Sequence, residues 1–263
     1  MGGAFFLPDG EQLVATELTR GPWDPDSQHA GPPSALLARA LERCEPRDGM
    51  LIARVTIEIL RPVPITPLVT TARVVRPGRS VEQLEATLAR VDDATEVMRA
   101  SAWRLRTTEL KLPDDPGLPE DPIPGPEAGG EVPFFPTGAD VGFQTAMDFS
   151  FVTGAFLEPG PATVWIRMRG PLVEGEAPTP LQRVMVAADC GNGVSAALHY
   201  NAFVFINTEL TVHLARHPEG EWVGLDAVTT ALPTGIGLTE TELHDERGPI
   251  GRAAQTLLVD ARG

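Results

Sequence analysis

The apolar positions of the chain change their period in an order that occurs twice. In "HAGPPSALLARALERC" (29–44), Leu36, Leu37, Ala40 and Leu41 recur at helical spacing. Pro32 and Pro33 fall in the first turn, where a missing N–H costs no helical hydrogen bond. Four segments at 51–64, 68–78, 80–93 and 95–107 follow, β-branched and nearly alternating, and they predict strands. "RVDDATEV" between the last two predicts a hairpin turn. The second round starts with a helix over "PLQRVMVAADCGNGVSAAL" (180–198) and continues with strands at 205–218, 221–233, 237–248 and 249–260, "DERG" (245–248) being a turn. Two further strands, "FQTAMDFSFVTGAF" and "ATVWIRMRGPL", precede that helix. Arg61 and Arg216 close corresponding strands, and Arg99 and Arg252 occupy corresponding hairpins.

Between the rounds, residues 109–138 carry eight prolines, too many for a helix or a central strand, and so predict an extended linker. The expected organisation is an N-terminal unit at 1–108, the linker, and a C-terminal unit at 139–263. An antiparallel sheet must cover one face. One helix per unit does this, giving an α+β fold in which each sheet wraps a central helix. Two such units can join their sheets, with clefts near the helix N-termini as ligand sites.

The second helix carries one discordant residue. Asp189 lies among valine, methionine and alanine, and a carboxylate there loses hydration unless a partner compensates it. It either bonds amides of the "DCGNG" turn or faces a cleft. Cys190 beside it is a poor nucleophile, because the neighbouring carboxylate opposes thiolate formation.

Net charge narrows the partners. At −15 the chain is poorly suited to nucleic acid or an anionic membrane surface. Of 21 basic residues only Lys111 is a lysine, so an anion would be held by arginine. Cys44 and Cys190 form neither a zinc spacing nor a disulfide framework. The N-terminus lacks the basic start and long apolar core of a signal peptide, and no apolar run reaches transmembrane length, so a cytoplasmic protein is expected. "GNG" and "GIG" lack the context and the lysine of a phosphate loop, so no nucleotide cofactor is expected, and no metal.

Helix-then-meander, duplicated around a proline-rich linker, resembles the double-hotdog acyl-CoA thioesterases of the thioesterase II family. The resemblance is most specific at "AADCGNGVS", "FINTELTVHLARHPEGEWVGLDA" and "GRAAQTLLV". "HAGPPSALLARAL" is similar to the family's His-Gly-Gly-led helix, with Ala30 in place of the first glycine. The resemblance implies a hydrolytic Asp–Thr–Gln trio, which falls here on Asp189, Thr208 and Gln255. It also implies hydrolysis of an acyl thioester to a free acid and coenzyme A without a cofactor.

These residue types suit that chemistry. An aspartate orients water or accepts its proton, while threonine and glutamine both donate and accept hydrogen bonds. Unpaired N–H groups at a helix start suit a developing oxyanion, and the His29-Ala30-Gly31 turn offers them from Ala30, Gly31 or Ser34. Asn192 is expected to line the cleft beside them. Arg61, Arg79 and Arg216 are the candidates for the phosphates of coenzyme A. The alternative is a non-catalytic acyl-CoA or fatty-acyl binding module on the same fold. A hydratase using Asp24 or Asp26 with His29 has an incomplete signature. Exposed sheet edges lead to the expectation of a homodimer.

Overall fold

A computed structural model describes residues 3–112 and 122–262; the stretch 113–121 of the expected linker lies outside the described residues. The first unit contains the hairpin β1 (Phe6–Asp9) and β2 (Gln12–Ala15), the helix α1 (Gly31–Arg43), and strands β3 (Met50–Ile59), β4 (Pro67–Arg76), β5 (Val81–Arg90) and β6 (Glu96–Arg106). A four-residue turn of helix, α2 (Phe143–Ala146), opens the second, followed by β7 (Met147–Ala155) and β8 (Glu158–Met168). Helices α3 (Pro180–Ala188) and α4 (Gly191–Val194) come next, then β9 (Phe203–Asn207), β10 (Glu209–Leu214), β11 (Val223–Ala231), β12 (Ile236–Asp245) and β13 (Gly248–Ala261).

All the strands form one 13-stranded sheet in the order β1-β2-β4-β5-β6-β3-β10-β13-β12-β11-β8-β7, with β9 also paired to β13. Strands from before the linker occupy one half and strands from after it the other. The halves meet where β3 and β10 pair antiparallel, Glu58 opposite Glu209 and Val55 opposite Val212. Across this seam the Thr211 hydroxyl donates to that of Thr56 at 3.2 Å.

The sheet curves around α1 and α3, whose apolar faces lie in one continuous core. Leu36, Leu37 and Leu41 of α1 and Leu181, Val184 and Met185 of α3 are fully buried. The helices run antiparallel. Glu42 near the end of α1 accepts hydrogen bonds from Thr179 and Gln182 at the start of α3, both at 2.9 Å. At the other end a Cβ on Gly31 would lie 2.6 Å from the Val186 carbonyl oxygen, so only glycine permits this approach. The start of α1 is thereby set against the end of α3.

Four local features depart from the sequence expectation, one being that the expected strand over 143–156 begins with the helical turn α2 and is a strand only from Met147. The β1–β2 hairpin was not expected; it closes on a two-residue turn with Gly10 at φ +61°. The helix over 180–198 stops at Ala188. Cys190 N–H bonds the Ala187 carbonyl three residues back, a tighter turn, before α4 restarts at Gly191. The strand over 205–218 is interrupted at Thr208. There a Glu209 carboxylate oxygen accepts the Thr256 N–H at 2.7 Å, replacing a strand partner in that bond. Part of the expected linker is also docked rather than free: Trp165 Nε1–H donates to the Pro124 carbonyl at 2.7 Å, and Gly130 bridges Phe151. Among the described residues no helix is long and apolar enough to cross a membrane.

Candidate active site

Both interruptions in the second half serve one place. The tight turn after α3 leaves Asp189 buried at the helix end, where Asn207 of the β9–β10 break contacts it and Thr208 lines the same space. A cavity of about 340 Å³ lies there, between α1's first turn, the end of β3 and the β9–β10 break. Its wall includes Trp23, His29, Ala30, Asp189, Asn192 and Thr208.

Asp189 is 3% exposed and both of its carboxylate oxygens are held. Oδ1 accepts from Asn207 Nδ2 at 2.8 Å, and Oδ2 lies 3.0 Å from His29 Nδ1. The Gly31 N–H also points at His29 Nδ1, at 3.1 Å. That nitrogen has a single in-plane position, so the two contacts compete. A hydrogen bond to a charged oxygen is the stronger, so Nδ1–H donates to Asp189. The imidazole lies flat against Phe143, with 3.9 Å between ring centres and 7° between planes, which fixes its orientation. A carboxylate at the C-terminus of its own helix is electrostatically unfavourable; the adjoining start of α1 opposes that effect.

Gln255 is 1% exposed on the inner face of β13 and is not on the cavity wall. Its amide holds the corner from below: Oε1 accepts the Asn192 N–H at 3.1 Å and Nε2 donates to the Asp189 carbonyl at 3.3 Å. A Cβ on Gly191 would sit 2.8 Å from Gln255 Oε1, which is why glycine occupies the turn. Asn192 lines the cavity, its Nδ2 donating to Phe205 O at 2.9 Å, while Ser195 is buried and bonds the Gly191 carbonyl. Thr208 lines the cavity with its hydroxyl 3.4 Å from the Thr256 carbonyl.

The structure narrows the expected oxyanion donors. Gly31 is buried off the cavity wall, and the Ser34 N–H bonds the Ala30 carbonyl at 2.9 Å. The Ala30 N–H has no hydrogen-bond partner among the described residues, and Ala30 is on the wall. Burial pushes the Cys190 thiol well above its ordinary range and Asp189 adds to the rise, so this cysteine presents no thiolate. Of the three arginines, exposed Arg61 lines the cavity, Arg79 lies outside it, and Arg216 is committed to the buried Asp245. Sequence reasoning missed Asn207 and Phe143. Asn207 carried a signal, being adjacent to Thr208 in "INTE", whereas Phe143 is placed only by the packing of α2.

Two family models match the chain, the acyl-CoA thioesterase N-terminal domain at residues 19–105 and the acyl-CoA thioesterase C-terminal domain at residues 119–259. Among solved structures, a putative thioesterase II from Thermobifida fusca is 19% identical, covering 97% of this chain and 95% of that one at a TM-score of 0.74. A putative thioesterase from Novosphingobium aromaticivorans is 18% identical, covering 98% and 99% with a TM-score of 0.71. An acyl-CoA thioesterase II from Mycobacterium marinum is 14% identical, covering 97% and 94% with a TM-score of 0.63. At these identities the likeness is one of fold, and the fold is the double hotdog. No curated protein matches the chain.

Proposed function

The chain belongs to the acyl-CoA thioesterase family, and we propose that it hydrolyses an acyl-CoA to a free acid and coenzyme A. The observation that carries this reading is Asp189: a buried carboxylate, oriented from two sides, on the wall of an open cavity. A carboxylate has about four lone-pair positions, so those not facing Asn207 and His29 remain for a water molecule. In the proposed mechanism that water is held between Asp189 and the Thr208 hydroxyl. Asp189 takes its proton as the water oxygen bonds the thioester carbon. The carbonyl oxygen, gaining charge, receives the free Ala30 N–H at the start of α1. Collapse of this intermediate breaks the carbon–sulfur bond, and the departing thiolate recovers a proton through Asp189.

His29 and Asn207 orient Asp189 in this scheme. Gln255 is a positioning residue that fixes the peptide between Asp189 and Asn192. Arg61, exposed at the cavity, suits the phosphates of coenzyme A. Thiol release from an acyl-CoA panel, dependent on Asp189, tests the reading. The alternative, an acyl-thioester binding protein without turnover, is favoured by one observation: the Gln255 amide is committed to backbone groups and does not reach the cavity. Saturable binding with no thiol release would establish it.

A further inference from the structure

Behind Trp23, His29 and Asn192, which also wall the active-site cavity, lies a second cavity of only about 30 Å³. Its far side is aromatic: Phe134, Phe135, Phe143 and Phe156. Phe134 and Phe135 come from the proline-rich segment and Phe156 from the turn between β7 and β8. Resting on the thioesterase reading, we propose that Phe135, backed by Phe156, closes the inner end of the acyl site and restricts the protein to acyl-CoAs with short chains.

A cation at one end and aromatic rings at the other set the direction of the substrate. The outer cavity is open and carries exposed Arg61, which suits the anionic coenzyme. The inner one has four phenylalanine rings on its far side, which suit a hydrocarbon tail. Its volume accommodates about one water-sized group. Phe135 makes this boundary firm. It is 5% exposed, stacks on Tyr200 at 4.4 Å between ring centres, and meets Phe156 edge-on at 5.2 Å. Its edge lies 3.5 Å from the position of a Cβ on Gly193, so the ring seals against the α4 turn. A tail longer than the space would have to displace a ring packed on four others, Trp23, Phe134, Phe156 and Tyr200. Removing the ring would leave an apolar void continuous with the cavity, and dry voids on the order of 150 Å³ bind groups as large as benzene.

The test compares acyl-CoAs from acetyl to palmitoyl with the parent protein and with Phe135→Ala and Phe135→Leu, each first shown to melt cooperatively. The parent should prefer chains of roughly two to four carbons, with kcat/KM down at least about tenfold at octanoyl. Phe135→Ala should raise the octanoyl-to-butyryl ratio at least about tenfold, and Phe135→Leu by less. Equal turnover of short and long chains by the parent overturns the proposal, and so do variants that change all lengths alike. If the parent releases no thiol from any acyl-CoA, the thioesterase reading fails separately. Equilibrium titration with butyryl- and octanoyl-CoA then decides: weaker octanoyl binding, relieved in Phe135→Ala, upholds the barrier. Equal binding, or none, overturns it.

Discussion

Replacing Asp189 by asparagine separates catalysis from architecture, because the change keeps shape and removes charge. The amide oxygen can still accept from Asn207, now at 2.8 Å, but an NH₂ replaces the oxygen 3.0 Å from His29 Nδ1. The imidazole can answer by moving its proton to Nε2, so that Nδ1 accepts. Two charge-assisted bonds of about 1.5–3 kcal/mol, from Asn207 and from His29, thus become neutral ones of about 0.5–1.5 kcal/mol, a loss of about 2 kcal/mol in all. For a chain of this size that lowers Tm by about 4–8 °C. Turnover should fall far more, since a positioned base contributes about 10²–10⁴-fold. The upper end corresponds to about 5 kcal/mol of barrier. Thiol release at saturating acyl-CoA, normalised to the folded fraction from a parallel melt, reads both quantities. Turnover within about threefold of the parent would refute the assignment of Asp189 as the base.

Gly31→Ala should destabilise the protein by about 1–3 kcal/mol in denaturant titration, because the added methyl meets the Val186 carbonyl oxygen at 2.6 Å. Glu82→Gln should cost about 3–5 kcal/mol: Glu82 pairs with Arg104 at 2.6 Å, and Arg104, only 3% exposed, would be left without its countercharge. The same group contributes to the acid limit of stability, together with Asp148, Glu176 and Asp245, which arginines also hold below their ordinary range. Burial raises the Glu82 carboxyl, but hydrogen bonds from Arg104 and Arg47 outweigh it and hold it below its ordinary value of 4.5. A depressed carboxylate contributes stability above its unfolded pKa and loses it as pH falls through the folded one, so Tm should decline below pH 4.5 and decline less steeply in Glu82→Gln. Arg61→Ala should raise KM for acyl-CoA and leave kcat little changed; an unchanged KM would remove Arg61 from the phosphate site.

Legibility followed the range of the interactions involved. The repeated helix-and-meander order was readable because periods of 3.6 and 2 are imposed by backbone geometry on whichever residues face a core. Asp189 stood out for the same reason, as a carboxylate breaking an apolar face. The β1–β2 hairpin had a local signal in Gly10, which opens its two-residue turn between the apolar runs at 4–8 and 13–15. The interruption at Thr208 had no local signal, because it arises where Glu209 takes the Thr256 N–H from a strand 47 positions away in the chain.

The sequence by itself thus determined the two helix-and-meander rounds, most of their strands, and the aspartate that the structure places on the cavity wall. Only the tertiary structure decided that Asp189 meets His29 across two antiparallel helices, with glycine at position 31 permitting their approach. It also decided that Gln255 holds a backbone corner and that Phe135 ends the inner cavity. Each of these depends on contacts between segments far apart in the chain, and those contacts are set by how the sheet closes over its helices, which no local period encodes.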